Sequence, residues 1–98
     1  MPPKVEAVEG SVQERGYEQI TSLSAAVGLT VPENTTFAMI GVESQAVRYR
    51  ADGTDPTASV GKQLAVGQEI KYTGDLKAVK FIEVAASAKL NVSYYGVV

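Results

Sequence analysis

The residues of this chain best equipped for chemistry are few: the pair Asp52 and Asp55, the arginines Arg48 and Arg50, and the adjacent tyrosines Tyr94 and Tyr95. The sequence has no histidine and no cysteine. That removes the commonest acid–base group near neutral pH, the usual ligands of zinc and iron–sulfur sites, and any disulfide. Serines are present, but without histidine the base for nucleophilic hydrolysis would have to be Lys, Asp or Glu, and no familiar motif surrounds any of them. Gly53, Gly61, Gly67 and Gly74 stand singly at turn positions rather than in a phosphate-cradling run. Asp52-Gly53-Thr54-Asp55 offers two carboxylates where calcium wants six or more oxygens, so these aspartates are expected to bond their own turn backbone. No catalytic residue, cofactor site or metal site is expected, and the chain reads as a non-enzyme.

What remains is contact chemistry. Arg48 and Arg50 project from one face of an alternating segment, 46–50, and their planar, multi-donor heads suit an inter-subunit contact. Tyr94 and Tyr95 must point to opposite faces of any strand they share. Tyr94 continues the row of Leu90 and Val92, which leaves Tyr95 outside, followed by Val97 and Val98. An exposed aromatic beside terminal valines reads as a contact patch. The expected interface residues are therefore Arg48, Arg50, Tyr95, Val97 and Val98.

The elements that must position these residues read as strands. The segments 37–43, 46–50, 68–72, 78–84 and 89–94 carry short apolar or alternating runs, with a first strand from Tyr17 and a shorter one over 62–64. The run 37–43 is nearly continuous in apolar residues, which suggests a central strand covered on both faces, forming a hairpin with 46–50. Val31-Pro32-Glu33-Asn34 is a turn, because Pro presets its backbone angle and Asn tolerates a left-handed one. Seven or eight short antiparallel strands without any sustained helical period give an all-β fold, a compact β-sandwich or jelly-roll-like domain. Residues 1–16, with Pro2-Pro3 and interspersed glutamates, read as an extended N-terminal arm, and residues 17–98 as the domain.

The totals agree with one domain. The chain has 98 residues, 9 basic and 11 acidic, for a net charge of −2. Lys77, Lys80 and Lys89 read as solvated strand faces, and no concentrated basic surface is present for nucleic acid. No apolar stretch approaches the roughly 20 residues of a membrane span, and the first residues lack the apolar core of a secretory signal.

From Val31 to Tyr95 the text resembles small proteins encoded among the virion genes of tailed bacteriophages. The resemblance rests on Val31-Pro32, Ala46-Val47-Arg48-Tyr49-Arg50, Asp52-Gly53-Thr54, Pro56-Thr57-Ala58, Gly61, Leu64, Gly67, Tyr72-Thr73-Gly74-Asp75-Leu76, Phe81-Ile82 and Leu90-Asn91-Val92-Ser93-Tyr94-Tyr95. It implies a virion structural protein, a head decoration, connector or tail accessory piece, that forms a homo-oligomer on other virion proteins after assembly in the host cytoplasm. It carries over no catalytic residue. The alternative is a carbohydrate- or surface-recognition module of a phage fibre, with Tyr49, Tyr72 or Tyr95 as stacking platforms around the 52–56 loop. A cupin-like enzyme is a third reading, which the missing histidines oppose.

Overall fold

The structure, a computed structural model, describes residues 11–98. It is all-β: strands β1 (Val12–Ile20), β2 (Phe37–Glu43), β3 (Val47–Arg50), β4 (Lys62–Leu64), β5 (Glu69–Tyr72), β6 (Lys80–Glu83) and β7 (Lys89–Val97). They form two antiparallel sheets, one of four strands in the order β1-β7-β2-β5 and one of three in the order β4-β3-β6.

Alternation along β7 and β2 builds half of the core. Leu90, Val92 and Tyr94 point inward and are fully buried, and they lie directly opposite Val42, Ile40 and Ala38. The three-stranded sheet answers with Val47, Leu64 and Phe81, while Leu23, Leu76, Val79 and Ala88 close the cluster from the connections. Each large side chain fully buried in this way contributes about 1.5–3 kcal/mol relative to exposure.

Three expectations about the strands need correction. β2 and β3 do not form a hairpin, because they belong to different sheets. β2 has both edges occupied, by β7 and β5, so none remains for β3. The Ser-Gln dipeptide, which lacks the residues of a two-residue hairpin turn, instead makes a γ-turn. Ser44 takes a φ of 76° and the Gln45 amide donates to the Glu43 carbonyl over 2.9 Å. Nor is β2 covered on both faces: Ala38, Ile40 and Val42 are buried, whereas Phe37, Met39 and Gly41 are half-buried on the outer side. Finally, β1 begins at Val12, so residues 12–16 belong to the sheet and not to an arm; residues 1–10 of the expected arm lie outside those described.

β1 is held by a polar contact that reaches into the core. A bulge between Glu14 and Gly16 shifts the register, and from Gly16 onward Gly16, Glu18 and Ile20 lie opposite Tyr94, Val92 and Leu90, on the inner face. The Tyr94 hydroxyl donates to Glu18 Oε2, and the Thr30 amide donates to the same oxygen over 2.9 Å. The buried phenol is thereby satisfied, and the segment between β1 and β2 is tied to the sheet. A Cβ at Gly16 would stand 3.1 Å from the Pro32 ring, and one at Gly96 would overlap the Asn34 carbonyl. The left-handed turn at Asn34 (φ 64°), anticipated from its sequence, is therefore packed directly on β7.

Two outcomes follow from this arrangement. Removing residues 1–16 strips the first part of β1 from its ladder with β7, so the truncated chain should unfold at markedly lower urea concentration than the full one; an unchanged midpoint would detach those residues from the fold. Burial, reinforced by the hydrogen bond to Glu18, raises the Tyr94 pKa far above its ordinary value. The stability this represents is complete below the ordinary tyrosine pKa of about 10 and is lost as pH climbs through and beyond it. Tyr94→Phe should cost about 1 kcal/mol at neutral pH and flatten the alkaline fall in unfolding free energy. An alkaline profile identical to that of the parent would contradict the assignment.

Candidate functional site

Because side chains alternate, the residues between the core positions of β7 and β2 form the outer face of the four-stranded sheet. The register sets Tyr95 beside Phe37, Ser93 beside Met39 and Tyr17, Asn91 beside Gln19, and Val97 beside Val12. This face divides in two. Toward the β7 start it is polar: the Tyr17 hydroxyl and Gln19 Nε2 donate to Asn91 Oδ1 over 2.6 and 3.0 Å, and Asn91 Nδ2 donates to Glu43 Oε1 over 2.9 Å.

Toward the β7 end apolar side chains predominate, with the exposed Glu14 lying opposite Tyr95 as the charged residue at their edge. The Phe37 and Tyr95 rings stack with centroids 5.3 Å apart at 12°, and the Lys71 ammonium sits 4.5 Å from the Phe37 centroid. Around that stack, Val12, Tyr17 and Val97 are 45%, 57% and 57% exposed. Tyr95 is thus outward-facing, as expected from its neighbour Tyr94, but half covered by its partner ring. Val98 follows β7 and is exposed.

The arginines lie elsewhere. Both are on β3, in the other sheet, so the five expected contact residues do not form one surface. Arg48 is used internally: its Nε donates to the Ala58 carbonyl over 3.1 Å and its Nη1 to the Gly61 carbonyl over 2.8 Å, which staples the β3–β4 loop to the strand. Pro56 is buried beneath that loop, and the Thr57 hydroxyl accepts from the amides of Ser59 and Val60. Gly61 (φ 139°) is where the loop presses closest, since a Cβ there would stand 3.1 Å from the Tyr49 carbonyl oxygen. Arg50 forms a two-pronged ion pair with Asp52, at 3.1 and 2.6 Å, which holds the Asp52 carboxyl below its ordinary pKa.

That pair borders a cleft of about 550 Å³ lined also by Tyr49, Tyr72, Val60 and Lys62. Tyr49 and Tyr72 meet edge to face with centroids 6.3 Å apart, and Tyr49 also packs on Phe81 at 5.6 Å. Burial raises the Tyr72 pKa, with Tyr49 and Asp75 adding to the shift. Asp52 Oδ1 also accepts from the Thr54 amide at 3.4 Å, the turn-bonding role expected of it. Asp55 lies 3.8 Å from the Lys80 ammonium. Among the described residues no group of three or more carboxylates gathers where a metal would be held.

The sequence assigned Tyr17, Phe37 and Met39 no contact role, and Val12 one only as part of the arm over residues 1–16. Tyr17 was legible in part, since it alternates with Glu18 and Ile20, but which of the two rows faces outward depends on pairing with β7. No protein-family model, no curated protein and no solved structure matches the chain.

Arg48→Met keeps the aliphatic stem and deletes both donors. It should speed amide exchange at Ser59, Val60 and Gly61 and cost about 1–2 kcal/mol, as for hydrogen bonds from a charged group that is only partly shielded. Exchange rates unchanged across that loop would show that the staple is not needed.

Proposed function

We propose that this chain is a non-enzymatic structural component of a tailed-bacteriophage virion. On this reading it is a sandwich- or jelly-roll-like domain that assembles in the host cytoplasm and docks as a homo-oligomer on capsid or head–tail proteins. The observation that carries the docking part is the aromatic and valine-rich end of the outer face, where Val12, Tyr17 and Val97 stand exposed near the Phe37–Tyr95 stack and Glu14 and Lys71 supply opposite charges at its margins. The virion setting rests on the sequence resemblance of residues 31–95.

Physical chemistry supports a face of this kind as a contact. A rigid strand scaffold presents aromatic and branched side chains that lose little entropy on docking, and apolar burial returns about 25 cal/mol per Å². Lost translational and rotational freedom offsets much of that for one copy. On a repeating lattice, linked copies bind at high effective concentration, so a modest patch suffices. The edge of β1 supports face docking over strand pairing. Its bulge and its inward-pointing Glu18 are features that discourage addition of another strand.

The test combines composition and association. The protein should be found by mass spectrometry in purified particles of the phage that encodes it. Sedimentation of the purified chain should show association that Tyr17→Ser with Val97→Ser weakens roughly tenfold. The variant should remain folded, with a melting temperature lower by roughly 4–8 °C, because it gives up the Tyr17 bond to Asn91 but neither side chain is in the core. Absence from the particle, or a parent chain that stays monomeric and binds no virion protein, would overturn the reading.

A further inference from the structure

The mouth between the two sheets holds a second surface, and we propose that it is a binding site for a neutral saccharide. The proposal goes beyond the docking reading and does not depend on it, since no residue lining this cleft lies on the outer face of the four-stranded sheet.

The site arises where the core runs out. Along the inner side of β3, buried Val47 is followed by half-exposed Tyr49, and the ring of Tyr72 at the end of β5 meets it nearly at right angles. The 87° angle between the rings makes an aromatic corner, one face and one edge, at the base of a cleft of about 550 Å³. That volume is in the range of small-molecule pockets. Val60, 52% exposed, adds an apolar lip. A pyranose ring has an apolar C–H face for such a corner and a rim of hydroxyls that must find polar partners.

The rim supplies those partners in neutral balance. Arg50 and Asp52 are already paired through two hydrogen bonds, so an anionic ligand finds no uncommitted guanidinium and a cationic one no uncommitted carboxylate. The pair uses two of the five guanidinium N–H donors and leaves lone pairs on the carboxylate, so donor and acceptor stand side by side. A vicinal diol presents the same alternation. Lys62, the cross-strand partner of Tyr49, adds an ammonium with further donors. Phosphate or a nucleotide would need concentrated positive charge, and a single solvated lysine does not provide it.

The rim is also preorganised. Arg48 clamps the carbonyls of Ala58 and Gly61, and the Thr57 amide donates to the Val60 carbonyl over 2.9 Å. Binding therefore does not have to order this loop, which keeps weak hydrogen bonds to a small ligand useful.

The experiment is an amide-detected NMR titration of the full chain with glucose, galactose, N-acetylglucosamine, lactose and cellobiose, and separately with inorganic phosphate. At least one saccharide should give saturable shifts confined to residues 49–52, 60–62 and 72, with a dissociation constant of order millimolar. Asp52→Asn, at an exposed side chain outside the core, should weaken that binding roughly tenfold, whereas Tyr17→Ser with Val97→Ser should leave it unchanged. Absence of saturable shifts with all five sugars would overturn the proposal. So would phosphate shifting the same amides more strongly than any sugar, or undiminished binding by Asp52→Asn.

Discussion

β7 is hydrogen-bonded along both edges, to β1 and to β2, and its pairing register is the constraint on which the rest of the molecule depends. With period two, a slip of one residue would drive Leu90, Val92 and Tyr94 into solvent and bring Asn91, Ser93 and Tyr95 into the core. Two features off the apolar row pin the register. The Tyr94 hydroxyl has its partner only where Glu18 and the Thr30 amide converge, and position 96 tolerates only glycine against the Asn34 carbonyl. A slip of two residues, which would keep the inner row inside, would bury the Tyr94 phenol away from Glu18, at a cost of about 1–3 kcal/mol beyond the loss of packing. Polar satisfaction thus specifies an alignment that hydrophobic burial drives.

The same register decides what the surface presents. Once the inner row is committed to the core, the outer row of β7 and its neighbours on β1 and β2 are brought together whether or not they are close in sequence. Tyr17 and Ser93 become neighbours, as do Phe37 and Tyr95. The β1 edge is meanwhile blunted by its bulge and its inward carboxylate. That makes this edge a poor template for a further strand. At the far end of the core, Tyr49 and Tyr72 mark where the two sheets part and a cleft replaces packing.

The local parts of this organisation were legible in the sequence. The inward row of Leu90, Val92 and Tyr94, the short strand Lys62–Leu64 and the left-handed Asn34 depend on residues near to them in the chain. The non-local parts were not. The apparent hairpin of β2 with β3 failed because β2 takes its partners from β5 and β7, far along the chain, and adjacency in sequence said nothing about that competition. Residues 12–16 read as an arm because the bulge at Arg15 breaks the period that would have marked them as strand. Arg48 and Arg50 looked equivalent at alternate positions. Only the return of the β3–β4 loop distinguishes a guanidinium that holds backbone carbonyls from one paired with Asp52 at a cleft rim.

Alternation about β7 sends one row to the core and leaves its outer neighbours as the proposed contact surface. Hydroxyl-radical footprinting of the free and the particle-assembled protein tests this most directly, because it reads side-chain accessibility one residue at a time. Assembly should protect Tyr17, Met39 and Tyr95 while Tyr49 and Tyr72 keep their reactivity. Protection confined to Tyr49, Tyr72 and Val60, or oxidation at Tyr17 and Tyr95 that is the same in both states, would contradict it.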